Sequence, residues 1–188
     1  MASMNLMIVG LMLFIGIHLV PMAPALRATL AARLGEGRYK GLFSLVSATG
    51  LVLIVIGWPG TPVPIHLFAP VSAASTAAPF VVSLGIVLLA AANLRTHIRA
   101  KLRHPMLIGL LLWSGVHLLA NGDLAGTALF GSFAAYSIIA MISAEQRQAL
   151  KPVVPTWKHD AIAVAAGLVA AFLVMYFHAD LFDTAPVL

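Results

Sequence analysis

Six long apolar stretches, separated by short polar segments, constrain this chain more than any other feature. A helix needs roughly 20 apolar residues to cross about 30 Å of hydrocarbon. The stretches at 6–26, 41–58, 73–94, 105–120, 124–143 and 161–177 approach that length. They predict an all-α fold, a polytopic transmembrane bundle of about six helices. Because no separate polar region stands out, we expect one domain over residues 1–188.

The composition excludes an ordinary water-soluble domain. Of the 188 residues, 61% are hydrophobic and 9% are charged, whereas soluble domains carry roughly 25% charged residues. Cysteine is absent, so neither disulfides nor thiolate ligands are available. The net charge of +5 does not form a basic face with interleaved aromatics, so no nucleic-acid partner is expected. We interpret the first stretch as a retained helix, because no basic residue precedes it as in a signal peptide.

Basic residues cluster in three of the connecting segments. They follow the first stretch (Arg27, Arg33, Arg38, Lys40), the third (Arg95, Arg99, Lys101, Arg103) and the fifth (Arg147, Lys151, Lys158). The segment 59–71 has no charged side chain, and the C-terminal tail carries only Asp180 and Asp183. Positive segments stay in the cytoplasm. The pattern therefore predicts a multi-pass protein of the bacterial inner membrane with both termini outside the cytoplasm.

Two histidines, His18 and His117, fall well inside apolar stretches. At 1.5 Å per residue, His18 lies about 13 Å from Arg27, and His117 lies about 18 Å from Pro105. Two imidazoles at similar depth can bind one metal, and haem iron in particular from both sides. The alternative is that each imidazole only hydrogen-bonds a carbonyl or a polar neighbour, Ser114 being the nearest on the second helix.

A haem also needs an apolar slot and counter-charges for its propionates. We expect small residues beside the two histidines to form the slot, namely Gly16, Gly115 and Ala120. Arg38 and Lys40 are candidate cofactor-binding cations, or they follow only from the charge rule for cytoplasmic loops. Met7, Met12 and Met22 are softer axial alternatives. No catalytic residue can be assigned from the sequence.

The remaining histidines and the one mid-chain acid have structural interpretations. His97 and His104 belong to a basic segment that we expect to form a hydrated helix at the interface. His66, His159 and His178 are expected to be solvated. In the turn at 121–123, Gly122 is predicted to take a positive φ and Asp123 to cap the next helix. By inspection the chain contains no internal repeat, no Walker loop and no zinc motif.

Several stretches resemble the bacterial NnrU family over nearly the whole chain. They are GIHLVP at 16–21, RLGE at 33–36, YKGLFSLVS at 39–47, RHPML at 103–107 and WSGVHLLANGDL at 113–124. The resemblance implies a role linked to denitrification and nitric-oxide metabolism. The NnrU family is in turn similar to the plant 15-cis-zeta-carotene isomerase, which binds haem b. That similarity implies His18 and His117 as iron ligands, with Ser114 where the plant enzyme has cysteine.

Three functions follow as expectations. The first is a membrane haem b protein that serves nitrogen-oxide metabolism with a redox partner. The second is a haem-dependent cis–trans isomerase of a hydrophobic polyene, and the third is a haem-free scaffold or transporter subunit. Membrane methyltransferases of the isoprenylcysteine type also share Arg-His-Pro. This chain lacks the acidic, tyrosine-containing segment that follows in those enzymes, so we do not favour that function.

Overall fold

The computed structural model describes residues 2–58, 65–150 and 152–182. Within these residues every regular element is a helix, and one isolated bridge joins His66 to Asp123. The chain divides into two compact units, Met1–Pro64 and Ile65–Leu188. The all-α prediction is confirmed for these parts of the chain. Three parts of the sequence argument, namely the breakers at 59–64, Lys151 and Asp183, lie outside the described residues.

Unit 1 contains three α-helices. They are α1 (Ala2–Leu19), α2 (Pro24–Leu34) and α3 (Glu36–Gly57), and a short 3-10 turn, Val20–Met22, joins α1 to α2. The prediction of one span over 6–26 was wrong at its C-terminal end. Pro21 and Pro24 have no N–H to donate into a continuing helix, so the α-helix ends before them. Helix α3 begins five residues earlier than predicted, so Arg38 and Lys40 are helical.

Glycines bring α1 and α3 into close antiparallel contact. A Cβ added at Gly10 would lie 2.7 Å from the carbonyl oxygen of Gly50, and one added at Gly57 would lie 2.5 Å from the amide nitrogen of Met7. Met7 is completely buried at this crossing. In a bilayer the apolar effect between helices is weak, so close backbone approach through small residues supplies much of the association.

Unit 2 contains the other six helices of the described chain. They are α4 (Ser72–Ala92), α5 (His97–Leu102), α6 (Pro105–Asn121), α7 (Leu124–Gln146), α8 (Trp157–Tyr176) and α9 (His178–Phe182). Five helices of the described chain are long and apolar enough to cross a membrane: α1 with its 3-10 turn, α3, α4, α7 and α8. The predicted fourth span, α6, has 17 residues and is apolar but shorter.

Helix α4 packs against both α6 and α8, and α7 packs against α6. Gly85 of α4 meets Gly109 of α6, where a Cβ on Gly109 would lie 2.5 Å from the Gly85 carbonyl oxygen. Gly167 of α8 meets Val87 of α4 in the same way, at 2.6 Å from its Cα. Small residues therefore determine which faces of α4 its two neighbours occupy.

The turn between α6 and α7 has the predicted chemistry. Gly122 has φ +70° and ψ 0°, and the Asp123 Oδ1 atom accepts the Gly126 N–H at 2.8 Å. Residues 65–71 lie across this turn, where the Leu67 N–H donates to the Gly122 carbonyl at 2.8 Å and the Leu124 N–H to the Ile65 carbonyl at 2.8 Å. The sequence did not predict that a loop would cover the turn.

Candidate functional site

His18 lies in the last turn of α1. Its Nδ1 is 2.6 Å from the Phe14 carbonyl oxygen one turn earlier. Because a carbonyl can only accept, Nδ1 carries the proton, and the lone pair of the neutral ring is on Nε2. The ring stacks on Phe14 with centroids 4.3 Å apart and meets the edge of Phe43 on α3 at 5.1 Å. These contacts hold the imidazole in one orientation.

His117 lies one turn before the end of α6 and is held in the same way. Its Nδ1 is 2.8 Å from the Trp113 carbonyl oxygen, so Nε2 again carries the lone pair. The ring lies 4.9 Å from Phe130 of α7 and 5.5 Å from Trp113. Trp113 in turn meets Phe130 and Phe133 edge-on, so α7 supplies a wall of aromatic rings.

The two histidine helices share a ten-residue segment, which we call the histidine module. Residues 10–19 are GLMLFIGIHL and residues 109–118 are GLLLWSGVHL, in which both glycines, the histidine and three leucines are identical. The first glycine packs on a glycine of the neighbouring helix in each unit, Gly50 or Gly85. The residue four before the histidine is aromatic and accepts its Nδ1 proton in both. The similarity is confined to these ten residues of each helix.

Several details of the expected haem slot were also wrong. Gly16 and Gly115 precede the histidines by two residues, about 200° around the helix, so they do not face the imidazoles. Ala120 is partly buried and packs against the core cluster of Ala74, Ala78 and Val116. Ser114 does not bond His117. Its hydroxyl donates to the Leu110 and Leu111 carbonyls, at 2.8 and 3.2 Å.

The depth estimate for His18 assumed a straight helix as far as Arg27. Because α1 ends at Leu19 and the chain turns at Ala23, that distance does not measure the depth of His18. His117 has four helical residues after it, whereas His18 has one. His18 belongs to unit 1 and His117 to unit 2, so their pairing stays a prediction.

The candidate propionate cations lie at the α2–α3 corner of unit 1. Lys40 is 3.5 Å from Glu36, which also accepts from Arg27 at 2.8 Å, and the Arg38 side chain is exposed. Tyr39 between them is buried, and its hydroxyl has no hydrogen-bond partner among the described residues. A buried hydroxyl without a partner is costly and indicates a missing polar group.

Unit 2 has a comparable unpartnered group. The Thr127 hydroxyl on α7 is buried without a partner in the described part of the chain, one turn before the Phe130 ring that contacts His117. His178 of α9 lies near enough to His117 to interact with it electrostatically. His178 and His159 are both partly exposed, so their solvation stays a prediction. His66 is exposed, as predicted.

The two histidines of the basic segment each contact an acid. His97 Nδ1 is 2.5 Å from Asp160 of α8 and its ring stacks on Trp157 at 4.1 Å. His104 Nε2 is 2.8 Å from Glu145 of α7, which also accepts from Arg103. The segment contains the short helix α5, and these histidines connect it to α7 and α8. Its position at a membrane interface stays a prediction.

The residues present fit a haem in their donor chemistry. Histidines that bind metals usually donate the second ring N–H to a carbonyl or carboxylate, and both modules do so through Nδ1. In unit 1 the buried Tyr39 hydroxyl belongs to a ring that contacts Phe43, which contacts His18. In unit 2 the buried Thr127 hydroxyl lies one helical turn before Phe130, which contacts His117. The described residues contain no cluster of three or more histidine, cysteine or acidic side chains. A haem needs only two protein ligands, so a haem site does not require such a cluster of three.

The helices and their apolar lengths define the class as a polytopic helical membrane protein. The family model described as NnrU protein matches residues 6–186, across both units. The chain therefore belongs to the NnrU family. No curated protein matches the chain, and neither does any solved structure.

Proposed function

We propose that this NnrU-family chain is a haem b protein of the bacterial cytoplasmic membrane that serves denitrification or nitric-oxide metabolism. His18 and His117 would hold its iron through their ring nitrogens. The observation that carries the proposal is the shared histidine module, in which each ring donates Nδ1–H to the carbonyl four residues earlier. That bond leaves Nε2 as the ligand atom and increases its basicity. The packing alternative predicts the same two Nδ1 bonds, so the spectrum of the purified protein decides between the two.

Haem held by two imidazoles supplies a one-electron redox couple. The chain's own residues orient and neutralise it. Phe14 and Trp113 fix the two rings through their carbonyls and aromatic faces. Arg38 and Lys40 are the proposed counter-charges for the propionates, and the Tyr39 hydroxyl is a further donor at the same corner.

The proposed topology has both termini outside the cytoplasm and requires α6 to cross the membrane. Helix α6 is 17 residues long, about 25 Å at 1.5 Å per residue. Two residues separate it from the basic α5, and two residues separate it from the 23-residue α7. Six crossings place all three basic segments on one side, whereas five would place the last on the other. A reporter fused after residue 188 should be periplasmic, and a cytoplasmic signal there contradicts this topology.

The central experiment is an optical spectrum of the purified full-length protein, oxidised and reduced. We expect a Soret band and the paired visible bands of low-spin, six-coordinate haem b. His18→Ala and His117→Ala should each reduce bound haem about tenfold or convert it to a high-spin spectrum. His66→Ala is the matched control, because His66 is exposed and belongs to no module. Unchanged spectra in both module variants would overturn the proposed ligands.

His178→Ala decides whether a second imidazole of unit 2 replaces one of the two proposed ligands. His178 interacts electrostatically with His117, so we choose it as the rival ligand to test. We expect His178→Ala to keep the low-spin spectrum and to shift the midpoint potential slightly. A high-spin spectrum in His178→Ala together with a normal one in His18→Ala would replace His18 by His178 as the ligand.

The isomerase is the alternative that the resemblance of the two histidine stretches favours. Its test is to mix reduced, haem-loaded protein with 15-cis-zeta-carotene and to separate the isomers by chromatography. Faster conversion than with free haem, lost in His117→Ala, would support it. A sample that binds no haem after reconstitution would instead favour the haem-free scaffold or transporter subunit.

A further inference from the structure

A cavity of about 680 Å³ lies behind α5, where several apolar helices of unit 2 meet the basic segments. Its lining combines basic and apolar side chains. Arg99, Arg103 and His104 line one part, and the apolar side chains of Leu107, Leu150 and Val153 line another. The volume lies within the range of small-molecule sites. A cavity that is basic on one side and apolar on the other suits an amphiphile with an anionic head.

The charges of the cavity leave one guanidinium available. Glu145 accepts from Arg103 through both oxygens, at 2.9 Å and 2.5 Å, and also from His104 at 2.8 Å. Arg99 is half-buried, and among the described residues no carboxylate lies within ion-pair distance of it. One acid therefore serves two of the three basic groups, and the positive charge of Arg99 is unbalanced. A half-buried cation is favourable only when an anion or water meets it.

Backbone strain is concentrated beside the same cavity. In the described residues, the two non-glycine residues with positive φ are Arg103, at +63°, and Gln148, at +50°. Arg103 lines the cavity, and Gln148 directly precedes the lining residue Ala149. Such conformations persist where the surrounding structure imposes them. The Arg103 side chain pairs with Glu145, whereas Arg99 has no carboxylate partner among the described residues.

The cavity lies beside the end of α4 and the start of α6. Helix α4 ends at Ala92 and α6 begins at Pro105, so the α5 segment between them marks the end of the apolar lengths. Trp157, at the start of α8, is 76% exposed and stacks on His97 of α5, which is typical of interfacial anchoring. A lipid phosphate at this depth reaches Arg99 while its acyl chains remain beside Leu150 and Val153.

From these observations we propose that the cavity behind α5 is a binding site for the phosphate headgroup of an anionic membrane lipid, with Arg99 as the cation that pairs with it. This site is independent of the proposed haem site and involves none of its residues. The apolar wall favours a lipid over a free phosphate, since inorganic phosphate has no apolar part that could pack against Leu150. The positive charge of Arg99, which no carboxylate balances among the described residues, favours a net-negative lipid over a zwitterionic one.

The test uses the full-length protein, delipidated in a neutral detergent and examined by native mass spectrometry. It is titrated with phosphatidylglycerol, with phosphatidylcholine of the same chain length, and with inorganic phosphate. Arg99→Gln should weaken phosphatidylglycerol binding about tenfold, as expected for one charge-assisted contact of about 1.4 kcal/mol. Arg99→Lys should recover part of that loss. Arg95→Gln is the matched control, because Arg95 is exposed, four residues away and not part of the lining.

A second variant tests the apolar wall. Leu150→Asn should weaken phosphatidylglycerol binding and leave inorganic phosphate binding unchanged. Equal losses in Arg99→Gln and Arg95→Gln would show diffuse attraction to charge and overturn the site. Phosphate binding as tight as lipid binding, with no effect of Leu150→Asn, would overturn the lipid as its ligand. An unchanged melting temperature in each variant shows that folding does not cause the losses.

Discussion

The two histidine modules use the same local arrangement in different surroundings. In unit 1 the module ends beside the charged α2–α3 corner, where Arg27 lies 5.6 Å over the Tyr39 ring. In unit 2 the module lies against the aromatic side chains of α7, and His178 is its nearby titratable neighbour. The helix itself therefore fixes the tautomer and orientation of each imidazole. The neighbouring helices decide whether charges or aromatic rings surround it.

The two helices that carry the modules also end differently. Helix α1 ends one residue after His18 in a proline-containing 3-10 turn, whereas α6 continues for one more turn to Gly122. The segment 65–71 covers the Gly122 turn and fixes the end of α6 through several hydrogen bonds. Helix α1 ends before Pro21, which has no N–H to donate. Four predictions test this difference, from the largest expected effect to the smallest.

Gly122→Val should cause the largest loss, about 4 kcal/mol of stability. Valine strains at positive φ, and its Cβ would collide with the Phe68 carbonyl oxygen of the covering segment. Thermal unfolding in detergent measures the loss. Pro21→Ala is the counterpart in unit 1 and should change stability by less than about 1 kcal/mol. If the two variants unfold at the same temperature, the α6 turn is no more important than the end of α1.

Gly10→Val and Gly109→Val should each cost about 3 kcal/mol. In both modules the added side chain meets backbone atoms of a neighbouring helix at 2.7 Å or less, and a backbone cannot rotate away. The controls are Gly16→Ala and Gly115→Ala, six residues further along each module, where a Cβ meets nothing within 4 Å. Those controls should be neutral or slightly stabilising, because alanine favours helix. A loss in one module only would mean that the two helix crossings are not equivalent.

Asp123→Ala should cost about 1 kcal/mol, because the α7 cap to the Gly126 N–H is lost. Asp123→Asn should cost only a few tenths, since asparagine caps as well as aspartate. Both are measured by thermal unfolding, with haem content read in parallel. Normal stability with lost haem in Asp123→Asn would assign chemistry to the carboxylate instead of capping.

Tyr39→Phe and Thr127→Val should have the smallest effect on the haem-free protein, within about 1 kcal/mol and in the stabilising direction. Each removes a buried hydroxyl that has no partner among the described residues. With haem present, each should weaken haem affinity severalfold if its hydroxyl meets the bound group. Haem titration of both variants measures this. Unchanged affinity in both would mean that neither hydroxyl faces the cofactor.

The sequence alone determined the apolar helices, the family and the local chemistry. Helix length, the Gly122-Asp123 turn and the basic α5 segment follow from hydropathy, capping and positive φ, which involve residues close together in the chain. The NnrU family resemblance was confirmed by the match over residues 6–186. The histidine module is also visible in the sequence, but only the structure shows that both modules have the same Nδ1 bond and the same glycine crossing.

Tertiary structure alone decided which distant residues meet. His97 pairs with Asp160 across 63 residues, Arg103 with Glu145 across 42, and the segment 65–71 covers the α6–α7 turn. The hydrophobic periodicity of the sequence does not predict these contacts, because they depend on the rotation of each helix about its own axis. Close glycine crossings fix that rotation, since only one face of each helix allows the backbones to touch. For the same reason the sequence placed Gly16 and Gly115 beside the histidines, whereas the helix carries them to the opposite side.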